Sequence, residues 1–134
     1  MQIIVLYLAT AVVFLGLDAV MLKSVMRPMF EARISDWLVE EIRIGPAAAF
    51  YLFYVAGVVW LAGWPALKAD APVQALATGA VLGALAYGTY EFTNYATLRD
   101  WSVNQVVVDT LWGGVLTGFS AWIGVVATRA VFPS

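Results

Sequence analysis

MQIIVLYLATAVVFLGLDAVML, residues 1–22, carries a single charged side chain, Asp18, in a run otherwise apolar but for Gln2, Tyr7 and Thr10. A bilayer core about 30 Å thick takes about 20 helical residues, each rising about 1.5 Å. The run meets that length, so it reads as a helix that crosses a membrane. A secretory leader is the rival reading, and it fits poorly. No basic residue precedes the run, and no small-residue cleavage pattern follows it cleanly. It is also longer than a leader's apolar core of roughly 7–15 residues. We read it as a retained span from about Ile3 to Leu22.

The rest of the chain supports the same solvent. Of its 134 residues 63% are hydrophobic and 12% charged, where soluble domains carry about 25% charged residues. Too few polar groups remain to cover an aqueous surface, and a bilayer removes that need. The net charge is −2, with no basic run, so no nucleic acid is expected as a partner. The chain has no Cys and no His. Disulfides, thiol nucleophiles, and ligation of metal, haem or chlorophyll by His or Cys are therefore excluded, and any other cofactor is unknown. Chemistry here belongs to carboxylates, hydroxyls, amides, aromatic rings and a few Lys and Arg.

Three further segments match the first in length. The expected spans are 3–22, 46–64, 73–92 and 103–128, in one membrane domain over 1–134. This is an all-α, integral-membrane bundle of four transmembrane helices. Pro46 opens the second span where its missing N–H costs nothing. PALKADAP (65–72) and residues 93–102 are expected to be short links. The connector 23–45 is the long polar stretch. In it Phe30, Ile34, Trp37, Leu38 and Ile42 recur at helical spacing after Pro28, with Arg33, Asp36, Glu40 and Arg43 opposite, although Glu31 and Glu41 intrude. An amphipathic helix lying flat at the membrane interface is the reading this favours; a lid over the bundle or a docking surface is the alternative. Lys23, Arg27, Arg33 and Arg43, with Arg99, outnumber Lys68 and Arg129, which places the connector in the cytoplasm and both termini outside.

An up-and-down order brings one end of every span to the same membrane level. Asp18 lies about one turn from the end of span one. Tyr51 and Tyr54 lie just inside span two, and Tyr87, Tyr90, Glu91 and Asn94 follow one another at the end of span three. Asp109 and Trp112 lie on span four. The other leaflet receives few polar groups; Thr10, Thr78, Thr117 and Ser120 fall near the middle. Ionisable side chains inside a span cost about 2.5–3.5 kcal/mol each on insertion scales and face the bundle interior or a wet cavity. Three acids at one level must either hold protons or be satisfied by cations and donors. Arg99, Asn94, Asn104 and the tyrosine hydroxyls are the donors within reach. The competing reading is structural, with the polar groups holding helices together.

Small residues carry a separate message. Gly79 and Gly83 make G-x-x-x-G in span three, flanked by Ala80, Ala84 and Gly88. Gly114 and Gly118 repeat it in span four, near Gly113, Ala121 and Gly124. That spacing lets helix backbones approach closely, and helix packing is favoured over a slot for a flat ligand. Trp37, Trp60, Trp64 and Trp101 fall near predicted boundaries and read as interface anchors.

FLGLDAVML (14–22), PAAAFYLFYVAG (46–57), GALAYGTYEFTNYATLRDW (83–101) and VVDTLWGG (107–114) occur in that order. Together they resemble a bacterial family of small inner-membrane proteins, domain of unknown function twenty-one seventy-seven, with Y-x-x-T-N-Y-A-T-L as the most specific part. The resemblance implies a four-helix inner-membrane protein. Its signature falls on Asp18, Tyr51, Tyr54, Tyr87, Tyr90, Thr93, Asn94, Leu98, Trp101, Asp109, Trp112 and Gly113. Glu91 departs from it, standing where the shorter aspartate is expected. The resemblance brings no activity and no cofactor.

Binding or transport of a lipid-like or small cationic molecule at Asp18, Tyr51, Tyr54, Tyr87, Tyr90, Glu91, Asn94, Asp109 and Trp112 is the expected function. An accessory subunit of a larger membrane complex, or an enzyme using carboxylate acid–base chemistry on a lipid or isoprenoid, is the alternative. Catalysis is the less favoured of these, since no catalytic motif is present. Membrane lipids, and a homodimer or larger membrane complex, are the expected partners.

Overall fold

The computed structural model describes residues 1–21 and 44–132. The interfacial helix expected within the connector lies outside these residues. Helix α1 (Gln2–Met21) is followed by α2 (Ile44–Val58), a π-helical turn (Val59–Gly63) and α3 (Trp64–Lys68), which together form one continuous rod. Helices α4 (Pro72–Thr97) and α5 (Val103–Val131) complete the fold. Three stretches are long and apolar enough to cross a membrane: Gln2–Met21, Ala48–Lys68 and Val103–Val131. At 26 residues α4 has ample length, but its many Gly, Ala, Thr and Tyr residues leave it less apolar than the others.

The π turn has a local cause. Pro65 has no N–H to donate to Leu61, so a regular ladder would lose a bond there. The N–H of Trp64 instead reaches back five residues to the carbonyl of Val59, widening the turn and carrying the helix through the proline. Residues 65–68, expected in a turn, are therefore helical. The reversal is confined to three residues. Asp70 takes the left-handed conformation at φ 57°, while the N–H of Ala71 bonds the carbonyl of Ala66 at 2.9 Å, the wide closing bond of a helix C-cap. Asp70 also holds Arg129 at 2.8 Å, tying this turn to the end of α5.

Helix α4 also runs past its expected end. Residues 93–97 continue it, and the hydroxyls of Thr89 and Thr97 donate to the carbonyls of Leu85 and Thr93, four residues back. Back-bonding of this kind hides a polar hydroxyl on its own helix. The short link is thus only 98–102. Ser102 starts α5 by accepting the Gln105 N–H at 3.4 Å.

Helices α4 and α5 form an antiparallel hairpin whose backbones touch. A Cβ at Gly79 would lie 2.9 Å from the Gly118 Cα. One at Gly83 would strike the carbonyl of Gly113, and one at Gly113 the ring of Tyr87. A methyl group on Gly118 would come within 2.7 Å of the Leu76 carbonyl. The two G-x-x-x-G patterns thus face each other, and helix packing is what they serve. Gly124 gives Thr10 and Leu6 of α1 the same close access to α5, and the Tyr7 hydroxyl donates to the Leu52 carbonyl between α1 and α2. Leu6, Phe14, Val55, Val58, Leu116 and Val125 fill the apolar centre.

The surface is the reverse of a water-soluble protein's. Phe53 is 78% exposed and Trp60 74%, while Glu91 and Gln105 are 0% exposed. Ile4, Leu8 and Val12 on α1, Val81 and Leu85 on α4, and Leu111 and Val115 on α5 all face outward. Apolar side chains outside and polar ones inside are what a hydrocarbon solvent selects.

Candidate functional site

The end of α1, the start of α2, the end of α4 and the start of α5 lie together, so the polar layer expected from the sequence forms. On α1, Asp18 follows Phe14 by one turn and is buried, with 9% of its surface exposed. The indole N–H of Trp112 donates to it at 3.3 Å, a long bond for a charge-assisted pair. Tyr51 approaches it from α2. Among the described residues no Lys or Arg pairs with it; the ion pair there, Arg129 with Asp70, is at the opposite end.

Aromatic rings wall this carboxylate. Phe14 packs against Tyr51 and Tyr54 with centroids 5.9 and 5.3 Å apart. Tyr54 meets Tyr87 edge-on at 6.3 Å and stacks on Phe50 at 6.0 Å. The Tyr54 hydroxyl pairs with that of Thr117 at 2.9 Å, which fixes the ring against α5. Tyr87 lies within electrostatic reach of Asp18, Tyr51, Tyr54 and Asp109. Three helices thus bring aromatic rings, packed on one another, into the neighbourhood of one acid.

A second group lies in the α4–α5 seam. Gln105, Asp109 and Trp112 share one side of α5, at spacings of four and three residues. The contacts of Gly88 with Thr110 and of Gly113 with Tyr87 set Glu91 opposite the turn from Gln105 to Asp109. There Glu91 and Asp109 are both buried on neighbouring turns of the two helices. The Trp101 indole N–H donates to Glu91 Oε1 at 2.8 Å, whereas Glu91 Oε2 has no hydrogen-bond partner among the described residues. Gln105 is fully buried with both amide atoms equally unpaired among those residues.

Several expectations change here. Trp101, read as an interface anchor, is buried at 6% exposure and bonded to Glu91; the short link folds its indole inward instead of letting it reach the headgroups. Among the described residues the indoles of Trp101 and Trp112 donate to the acids, while Arg99 and Asn104 are exposed. Tyr90 is 51% exposed and packs edge-on against Trp101, with Asn94 beside its hydroxyl. These two rim the acidic layer and do not enter it. Gln105 escaped the sequence reading, although its position one turn before Asp109 could have marked it. Trp37 lies outside the described residues.

No group of three or more Asp or Glu side chains among the described residues is placed to hold a metal ion. What the arrangement offers is a buried acid, Asp18, near a cluster of aromatic rings and, in the α4–α5 seam, two further buried acids, Glu91 and Asp109. No curated protein and no solved structure matches the chain. The family model described as "Predicted membrane protein (DUF2177)" matches residues 3–126, nearly the whole chain and both acidic groups, so the chain belongs to this family of predicted membrane proteins.

Proposed function

We propose that the protein binds a small organic cation, free or as the amine headgroup of a lipid, at Asp18, and moves or presents it within a bacterial inner membrane that the chain crosses four times. The observation that supports this is the setting of Asp18. The carboxylate is buried, has no cationic partner among the described residues, and is walled by Phe14, Tyr51, Tyr54 and Tyr87. A desolvated cation against aromatic faces gains about 2 kcal/mol, and a buried acid supplies the matching charge. An anion or an uncharged polar ligand would leave Asp18 uncompensated. Membrane lipids surround the exposed apolar faces as immediate neighbours. Tyr90 and Asn94, at the rim, suit the approach of the ligand better than its seat.

Calorimetric titration of the purified protein with tetraethylammonium and with ethanolamine tests the reading. Saturable binding is expected, weakened at least tenfold in Asp18→Asn, which corresponds to about 1.4 kcal/mol. Equal binding by the variant, or none by the parent, would remove the proposal. Native mass spectrometry of protein extracted from its own membrane separates the two ligand sources, since only a lipid headgroup would bring acyl chains with it.

A further inference from the structure

Lys68 and Arg129 lie at the end of the molecule remote from the acidic layer. Lys68 closes α3, and Arg129 stands in the last turn of α5. Between them runs the turn into α4, where Asp70 takes the left-handed conformation and its carboxylate meets the Arg129 Nε at 2.8 Å. Asp70 is two residues from Lys68, so this ion pair brings cations from two different elements to one turn. These three side chains together carry a net positive charge.

Neither cation is used up by its contact. The Arg129 and Asp70 side chains are 41% and 58% exposed, and an exposed ion pair is a weak hold. The contact is made at Nε, and a guanidinium has further N–H donors in its planar fork, suited to two oxygens of one oxyanion. The Lys68 ammonium lies over the Trp64 ring, 5.8 Å from its centroid. Such a contact positions the charge without consuming a hydrogen-bond donor.

The rod below Lys68 presents an apolar surface. Trp60, Trp64 and Lys68 follow one another four residues apart, close to one turn each. Trp60 is 74% exposed and its neighbour Leu61 51%. A lysine whose head reaches the polar level above interfacial indoles matches the profile of a lipid, charged at the top and apolar beneath.

We propose that this corner binds the phosphodiester of an anionic phospholipid, with Lys68 and Arg129 meeting the phosphate and Trp60, Trp64 and Leu61 lying against the acyl chains. A choline headgroup would bring its own cation to the two cations already there, so an anionic lipid is the better fit. The site is separate from Asp18 and stands whether or not a cation binds there.

Native mass spectrometry of the full chain in detergent, titrated with phosphatidylglycerol or with phosphatidylcholine of matched acyl chains, tests this. Phosphatidylglycerol has no amine, so Asp18 does not account for its retention. The parent should retain it more tightly than phosphatidylcholine. Lys68→Gln and Arg129→Gln should each weaken that retention about fivefold, the loss of one cation near an anionic headgroup, and the double variant should show the product of the two. Asp18→Asn should behave as the parent. Asp70→Asn, which lacks the competing carboxylate, should retain the lipid at least as well. Equal retention of the two lipids by the parent, or unchanged retention in the double variant, would overturn the proposal. So would a loss in Asp70→Asn equal to that in Arg129→Gln, which would mark the ion pair as structural, or displacement of the lipid by millimolar inorganic phosphate, which would mark a site for the free anion. The first comparison uses the parent protein, so a variant that fails to fold does not leave the question open.

Discussion

Single residues set the chemistry of this chain by where their few polar atoms end up. The Tyr54 hydroxyl pairs with Thr117 inside the bundle at 2.9 Å. Hydrogen bonds between membrane helices are worth about 0.6 kcal/mol on average, because the separated helices also find partners. A double-mutant cycle of Tyr54→Phe and Thr117→Val, read by reversible unfolding in mixed micelles, should therefore give a coupling near 0.6 kcal/mol. A coupling above about 2 kcal/mol would mean that the pair anchors the bundle and does more than orient a ring. At this scale the sequence was partly legible. Asp18, Glu91, Asp109, Tyr51 and Tyr87 were recognisable because an ionisable or hydroxylated residue in an apolar span has few places to go. Gln105 and Trp101 were not, because both lie beside a helix start, where polar and amphipathic residues are ordinary. Their burial depends on how tightly the link 98–102 folds, and that is a tertiary property.

Among the elements, the hairpin of α4 and α5 leaves least latitude. Gly83 faces the Gly113 carbonyl and the Thr117 hydroxyl with no room for a methyl group, whereas Gly16 of α1 has nothing within 4 Å. Gly83→Ala should destabilise the fold by about 1–3 kcal/mol, the usual cost of overpacking, measured as a shift in the detergent-unfolding midpoint. Gly16→Ala should be neutral or mildly stabilising, since alanine is the better helix former. Equal effects at the two positions would show that helix propensity and not contact governs the seam. The paired G-x-x-x-G patterns were readable in advance, since close approach is the physical use of that spacing. The continuation of the second rod through Pro65 was not, because a π turn replaces the lost bond by a register shift that no local residue preference announces. The extra turn at the end of α4 was missed for a related reason. Its threonines look like loop residues until their hydroxyls are seen to bond their own helix.

Among the described residues, Asp18, Glu91 and Asp109 lie at one end of the molecule and the Asp70–Arg129 pair at the other. Since the chain has no Cys, single-cysteine variants report sidedness without background. With four crossings, Asp100→Cys and Asp70→Cys should react with a membrane-impermeant maleimide from opposite faces of sealed vesicles. Labelling of both from the same face would mean that α4 does not cross, the one helix whose composition left this to be tested. Fold class was legible at this scale because solvent imposes it: a chain 63% hydrophobic and 12% charged has to turn its apolar side chains outward into lipid.

The glycine seam has a mechanical consequence. Where two backbones touch, neither helix can slide or rotate past the other without a collision, so α4 and α5 move as one stiff plate. The opposite wall of α1 and the α2 rod is held to that plate by apolar packing, by Thr10 and Leu6 against Gly124, and by two polar contacts, a long indole bond at Asp18 and a hydroxyl pair at Tyr54. Of those two polar contacts, the indole bond ends on Asp18, so the proposed cation would compete with the Trp112 indole for the same carboxyl.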